Sequence, residues 1–282
     1  MDKQLRHDLK RLALEIRIAT VETLAFRGFG HIGGSLSIAD TLAVLYGSLM
    51  RFDPKNPSWP ERDKLVCSKG HAGPAIYAAL AINGFIPRDE LKTLNRPGTK
   101  LPSHCDKNLT PGIDMTTGSL GQGTSLACGI ALGDRLKGRD SRTYLIVGDG
   151  ECNEGQVWEA AMFASDKKLT NMVWLIDWNK KQLDGFVRDI LDTLDFEKKF
   201  NAFGFDAVTV DGSDVEAIYG AVTRPSDRPI AVILDTVKGK GIKEVEETFS
   251  NHSMTEGPDI FEKWLGSLRK DLNELLAEEA SK

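Results

Sequence analysis

Residues 143–179 read TYLIVGDGECNEGQVWEAAMFASDKKLTNMVWLIDWN, and this stretch decides the fold. Two unbroken apolar runs, Thr143–Val147 and Met172–Ile176, flank a segment with helical periodicity, Gln156–Lys168. Continuous apolar strands separated by a helix belong in a parallel sheet covered on both faces. Ligands in such sheets sit beyond the carboxyl ends of the strands. Here those ends are Gly148-Asp149-Gly150 and Asp177-Trp178-Asn179, one βαβ unit apart, so adjacent strands would bring Asp149 and Asn179 together. A carboxylate plus an amide oxygen is hard-oxygen ligation suited to Mg²⁺ or Ca²⁺. Gly148 and Gly150 permit a tight turn and close approach of an anion, and the following helix points its positive end at the same place. The set suits a metal-bridged diphosphate. A lone Gly-Asp-Gly also reads as a plain turn. Asn153 followed by Gln156 also reads as a capping box that places Glu154 in the first helical turn. Capping and anion binding are compatible.

The same alternation extends outward. Strands are expected at Lys64–Cys67, Ala207–Val210 and Ile230–Leu234, and helices at Asp195–Phe203 and Asp214–Thr223. A helix with Pro74 in its first turn follows Ser68-Lys69-Gly70-His71. A small-residue helix runs from near Gly121 to the basic turn Arg135–Arg139. Leu5, Leu9, Leu12, Ile16 and Ala19 mark one face of a first helix that ends near Arg27. A Gly-rich turn over Gly28–Gly34 is expected next, then a second helix capped by Ser35 or Ser37 and ending near Tyr46. Residues 53–60 (DPKNPSWP) and 95–115 read as loops. Lys238–Pro258 reads as polar and irregular. A closing helix over Asp259–Ala280 carries Phe261, Leu265, Leu268, Leu272 and Leu275. The expected architecture is α/β: one domain over 1–282, a parallel sheet flanked by helices on both faces, a helical arm over 1–60 and a C-terminal helix over 257–282.

Composition is consistent with this reading and removes other classes. The chain has 282 residues and a formal net charge of −5. A folded monomer of this size exposes about 12,000 Å² against about 45,000 Å² unfolded, so a large core needs no staples. The acidic balance argues against nucleic acid as a partner. No apolar run approaches the ~20 residues that span a bilayer, and the charged N-terminus lacks a signal-peptide core. Cys67, Cys105, Cys128 and Cys152 form no Cys-x-x-Cys or zinc spacing and are expected to be reduced thiols in a cytoplasmic protein.

Only five histidines occur. His7 lies among charges on the first helix and reads as solvated. The other four lie beside turn residues, in Gly30-His31-Ile32-Gly33, Gly70-His71-Ala72-Gly73, Ser103-His104-Cys105 and Asn251-His252-Ser253. Four loop imidazoles suggest convergence on a polar pocket, where they could exchange protons near neutral pH. Thr116–Gly123 is a further Gly-rich helix entry, with neither the dinucleotide fingerprint nor a Walker loop.

Taken together, Gly148-Asp149-Gly150 through Asn179, Thr117–Gly123 and Ser68-Lys69-Gly70-His71 resemble the N-terminal, thiamine-diphosphate-binding half of transketolase. The likeness runs from about residue 10 to residue 240. It implies Mg²⁺ bound by Asp149, Asn179 and the Lys181 carbonyl, and diphosphate contacts from Gly150 and His71. Asn179 also counts among the cofactor contacts, and Gly118 and Leu120 are implied at the aminopyrimidine side. His31, His104 and His252 resemble histidines that orient and deprotonate donor-sugar hydroxyls. Glu154 resembles a buried glutamate that communicates between two cofactors across a subunit contact. The chain departs from the family after His31 (Ile-Gly-Gly rather than Pro-Gly), after His104 (Cys105-Asp106), and around His252, where the usual His-Gly pair is missing. These changes lie on the sugar side.

Full-length transketolase continues with two further domains, one of which supplies the glutamate that protonates the aminopyrimidine. The resemblance therefore implies a split enzyme. A C-terminal subunit with pyrimidine-binding and C-terminal domains would bring that glutamate, in a dimer of heterodimers acting on sugar phosphates. The expected reaction moves a two-carbon ketol unit from a ketose to an aldose. Alternatives are another thiamine-diphosphate enzyme, of deoxyxylulose-phosphate synthase or 2-oxoacid dehydrogenase type, and a non-catalytic regulatory subunit.

Overall fold

A computed structural model describes residues 1–280. Five parallel strands form the sheet in the order β2-β3-β4-β6-β5. They are β2 (Lys64–Cys67), β3 (Thr143–Gly148), β4 (Met172–Trp178), β5 (Asp206–Asp211) and β6 (Ile230–Asp235). β3, β4 and β6 are apolar throughout most of their length because both faces are covered. Tyr144, Ile146, Val173 and Leu175 pack into one core with α1 (Lys3–Arg27), α3 (Ala39–Val44), α4 (Gly73–Ile82) and α9 (Val215–Thr223). Leu145, Val147, Trp174 and Ile176 pack into the other with α5 (Gln122–Leu136), α6 (Gly155–Asp166) and α8 (Phe196–Ala202). The chain leaves β4 for the edge strand β5 and returns in β6 beside β4, so the winding reverses there. Such a reversal opens a crevice at the carboxyl ends. Gly148 pairs with Asp177, so Asp149 and Asn179 emerge side by side.

The N-terminal arm is part of the main core. The side chain of Asp2 caps α1 by accepting from Leu5 N at 2.8 Å, and Leu9, Ala13 and Ile16 are buried. Arg17, also buried, donates to the Asp40 carboxylate on α3 and to the Lys240 carbonyl at 2.9 Å. The expected turn over Gly28–Gly34 is shorter, because Ile32–Leu36 forms helix α2. Gly33 lies within that helix, where a Cβ would come within 2.2 Å of the Asn251 carbonyl oxygen, so close approach explains the glycine better than turning does. Neither Ser35 nor Ser37 caps the next helix. Ser35 donates to the His31 carbonyl and Ser37 to Asp177. Against the expectation that no apolar run approaches a membrane-spanning length, the 18-residue window Ile32–Leu49 is long and apolar enough by composition to cross one. It is divided among α2, α3 and a π-helical turn, and 83% of it is buried in the protein.

Three other differences from the sequence reading have local causes. The stretch 238–258 contains α10 (Lys243–Glu247) and β7 (Met254–Thr255), which pairs with β1 (Phe29–Gly30) in a two-stranded sheet too short to show a period. A short helix, α7 (Val187–Leu191), follows the β4 loop. His7 is half-buried and bonds the Leu275 carbonyl at 3.0 Å, where α1 meets the closing helix α11 (Pro258–Ala280). Of the expected 257–282 helix, Ser281 and Lys282 lie outside the described residues.

Candidate functional site

The carboxyl ends of β2, β3, β4 and β6 converge on one cavity of about 530 Å³. Its lining includes every residue expected from the sequence: His31, His71, His104, Gly118, Leu120, Asp149, Gly150, Glu154, Asn179, Lys181 and His252.

Asp149 is 2% exposed. Its Oδ1 accepts from Gly150 N at 2.8 Å and its Oδ2 from Lys180 N at 2.5 Å, so the carboxylate stitches the β3 turn to the β4 turn. Burial, and then the neighbouring Asp177, push its pKa up to about 7. A buried carboxyl in that state gains from a cation beside it. Asn179 donates its Nδ2 to Asp177 Oδ2 at 2.7 Å and its Oδ1 accepts from Lys181 N at 3.1 Å, which fixes the amide's orientation and leaves one lone pair of Oδ1 to ligate. The Lys181 carbonyl accepts from Lys238 Nζ at 3.0 Å. One carboxylate, one amide and one backbone carbonyl make an all-oxygen donor set, the kind that hard divalent cations take. Among the described residues no cluster of three His, Cys, Asp or Glu offers another metal site.

Behind this set lies a buried hub that sequence reasoning missed. Asp177 is 0% exposed and accepts from Lys69 Nζ at 2.6 Å, Ser37 Oγ at 2.7 Å and Thr236 Oγ1 at 2.6 Å as well as from Asn179. Burial opposes its ionisation, but the Lys69 ammonium and the Thr236 and Ser37 hydroxyls outweigh burial and hold its pKa below the usual range. The signal was a single charge inside an otherwise apolar strand, which demands a partner. Glu151 is a second missed anchor. Its carboxylate accepts from Ser68 Oγ and from the backbone N–H groups of Gly121 and Gly148, locking three site loops together.

The four loop histidines form one cluster. Ring centroids of His31 lie 5.5 Å from His71, 5.6 Å from His104 and 5.2 Å from His252, and those of His71 and His252 are 4.7 Å apart. Burial lowers the pKa of each, and His104 and then Lys238 add to this at His31. His252 falls to about 3, through burial and then Lys238. All four are therefore neutral at pH 7. Gly118 adopts φ 151°, and a Cβ there would sit 3.2 Å from the His104 ring. Lys238, unpredicted because its stretch gave no periodic signal, lies within 3.1 Å of His252 Nδ1, and its own pKa falls to about 8 through burial.

One expectation needs correction. Asn153 does not cap α6. A 3-10 turn over Gly150–Asn153 replaces the first helical turn, Asp149 caps that turn, and Gln156 bonds Ser125 instead. Glu154 stands exposed at the α6 N-cap on the cavity rim, on a face that the subunit contact implied by the resemblance would cover.

The chain is also similar to known proteins. Residues 9–264 match the family profile described as transketolase, thiamine diphosphate binding domain. The chain is 47% identical over 267 residues to the 6-deoxy-6-sulfo-D-fructose transketolase subunit SqwG of Clostridium sp. (strain MSTE9), covering 94% of this chain and 97% of that one. It is 38% identical over 234 residues to an apulose-4-phosphate transketolase subunit of Actinobacillus succinogenes, covering 82% and 85%. The crystal structure of Campylobacter jejuni transketolase superimposes with a TM-score of 0.84 at 27% identity, over 98% of this chain and 48% of that one. The chain thus spans about half the length of that solved transketolase.

Proposed function

We propose, from the premise that this chain belongs to the transketolase thiamine-diphosphate-binding family, that it is the N-terminal subunit of a two-subunit transketolase working with Mg²⁺ and thiamine diphosphate. The observation that carries this reading is the convergence of Asp149, Asn179, the Lys181 carbonyl and four neutral histidines on one strand-end cavity. The two subunit relatives, each matched over most of its length, support the division of the enzyme into separate chains.

Asp149, Asn179 and the Lys181 carbonyl would hold the divalent cation. Gly150, His71 and Lys238 would hold the diphosphate, and the backbone of Gly118 and Leu120 would face the aminopyrimidine. When bound, thiamine diphosphate supplies a nucleophilic carbon for breaking the bond beside a ketose carbonyl. His31, His104 and His252 would bind the donor hydroxyls as neutral imidazoles, each able to donate and accept a hydrogen bond. Lys238 donates to His252 Nδ1, so Nε2 carries the hydrogen and His252 serves as a donor to a sugar oxygen. Leu120, Leu183, Ile190 and Leu191 are exposed on the rim beside Glu154. This apolar rim supports closure by a C-terminal subunit that contributes the catalytic glutamate, in a dimer of heterodimers. The relatives' names specify sugars bearing a sulfo or phosphate group, and we take a ketose with an anionic end as the donor class. Four buried, unbridged cysteines support a reducing, cytoplasmic setting.

The test is co-purification with the second subunit, followed by donor consumption assays with Mg²⁺ and thiamine diphosphate. Two-carbon transfer from 6-deoxy-6-sulfofructose or apulose 4-phosphate, with none from pyruvate, is expected. Pyruvate turnover would reassign the chain to 2-oxoacid chemistry, and no turnover of any donor would favour a regulatory subunit.

A further inference from the structure

We propose that the side chain of Lys181 is a positioning residue that clamps the His252 loop onto the metal-binding loop. One residue would then join the cation site, through its backbone, to the sugar side, through its ammonium. The inference rests on the reading of His252 as a donor-sugar contact.

The connections are specific. Lys181 lies two residues beyond Asn179 and bridges antiparallel to Phe186, closing a small hairpin in which Gln182 N donates to the Gly185 carbonyl at 2.8 Å. Its Nζ reaches across to α10 and donates to the Glu246 carbonyl at 3.2 Å and the Thr248 carbonyl at 3.1 Å. Carbonyls at a helix C-terminus lack intrahelical partners, and an ammonium satisfies them with charge-assisted bonds. The same hairpin packs Phe186 edge-on to Phe249, with ring centroids 5.5 Å apart. His252 follows three residues later.

A second circuit fixes the far side of that loop. The side chain of Asn251 donates to the Lys238 carbonyl at 2.9 Å and the Val245 carbonyl at 2.8 Å, and its own carbonyl accepts from Gly33 N at 3.1 Å. Lys238 Nζ in turn bonds the Lys181 carbonyl and His252 Nδ1. The segment 246–252 is therefore held at one end by the Lys181 side chain and at the other by residues that meet the Lys181 backbone. Removing the ammonium frees the 246–249 end and leaves the carbonyl that faces the cation site in place.

Lys181→Met keeps the carbonyl and the length of the stem and removes the charged donor. Lys181→Arg retains a cation with several donors. Both are to be made in the chain assembled with its second subunit. For Lys181→Met, amide exchange over 246–253 is expected to quicken about tenfold, the loss of a charge-assisted tie. The donor KM should rise about tenfold, with cofactor affinity changing less than about threefold and kcat falling less than KM rises. Lys181→Arg should return exchange and KM to within about threefold of the parent, because the charge-assisted donor is restored. Unchanged exchange would overturn the proposal. So would faster exchange with an unaltered donor KM, or a loss of cofactor affinity as large as the change in KM. If the parent complex consumes no ketose, the functional reading fails, and the exchange measurement alone decides the clamp by the same criterion.

Discussion

Asp149→Ala is expected to lower Mg²⁺-dependent thiamine diphosphate affinity in the assembled complex by at least about 100-fold, since outer-shell partners alone are worth about 10–100-fold. Calorimetric titration with and without Mg²⁺ reads this directly. Asp149 is the only carboxylate in the all-oxygen donor set, and its two oxygens also tie the β3 turn to the β4 turn. Its pKa of about 7 adds a pH signature. A cation binds the ionised form, so affinity at pH 6 should be about tenfold below that at pH 8. The fold without its cation behaves in the opposite sense. With the folded pKa raised, the proton on Asp149 favours the fold fully below about pH 4, and this contribution is lost as pH rises through about 7. Retained affinity in Asp149→Ala, or a flat pH dependence, would count against the ligand assignment.

Asp177→Ala is expected to cost about 3–5 kcal/mol of stability, because it leaves the Lys69 ammonium buried without its counter-charge. Lys69 is 1% exposed. Beyond Asp177, its ammonium has among the described residues only the Gly34 carbonyl at 2.6 Å and the Ser37 hydroxyl at 3.5 Å. A fall in Tm of about 10 °C in the assembled complex is the readout. Pairing Lys69→Met with Asp177→Leu should recover most of that stability, since replacing a buried ion pair by apolar side chains is often neutral. The double variant should still bind cofactor poorly, because Asn179 has lost the acceptor that orients its amide. Full recovery of both properties would show that Asp177 has no part in orienting the Asn179 amide.

Most of the architecture was legible because burial on both faces imposes an unmistakable pattern. The runs Thr143–Val147 and Met172–Ile176 admit no charged residue, and their spacing makes them neighbours. The candidate cavity was legible for a related reason. Histidines are few, and those next to glycine or serine turns had to lie on loops. The missed features arose from contacts distant in sequence. Lys238 reaches the site only because its loop folds back on Gly33, through Gly239 N to the Gly33 carbonyl at 3.0 Å. Ser37 looked like a cap because its bond partner, Asp177, lies 140 residues away. The glycines at 33 and 34 looked like a turn because the backbone that presses on Gly33, at Asn251, is equally remote. Glu154 stands exposed on the cavity rim, so this chain's own packing does not mark it out.

On this reading the ends of β3 and β4 would hold a divalent cation beside the diphosphate. The most direct measurement is a crystal structure of the assembled complex with thiamine diphosphate and Mn²⁺, with the metal located by its anomalous scattering. One peak is expected within coordination distance of the Asp149 carboxylate, the Asn179 amide oxygen and the Lys181 carbonyl. A peak elsewhere, or cofactor bound with no metal among these three, would contradict it.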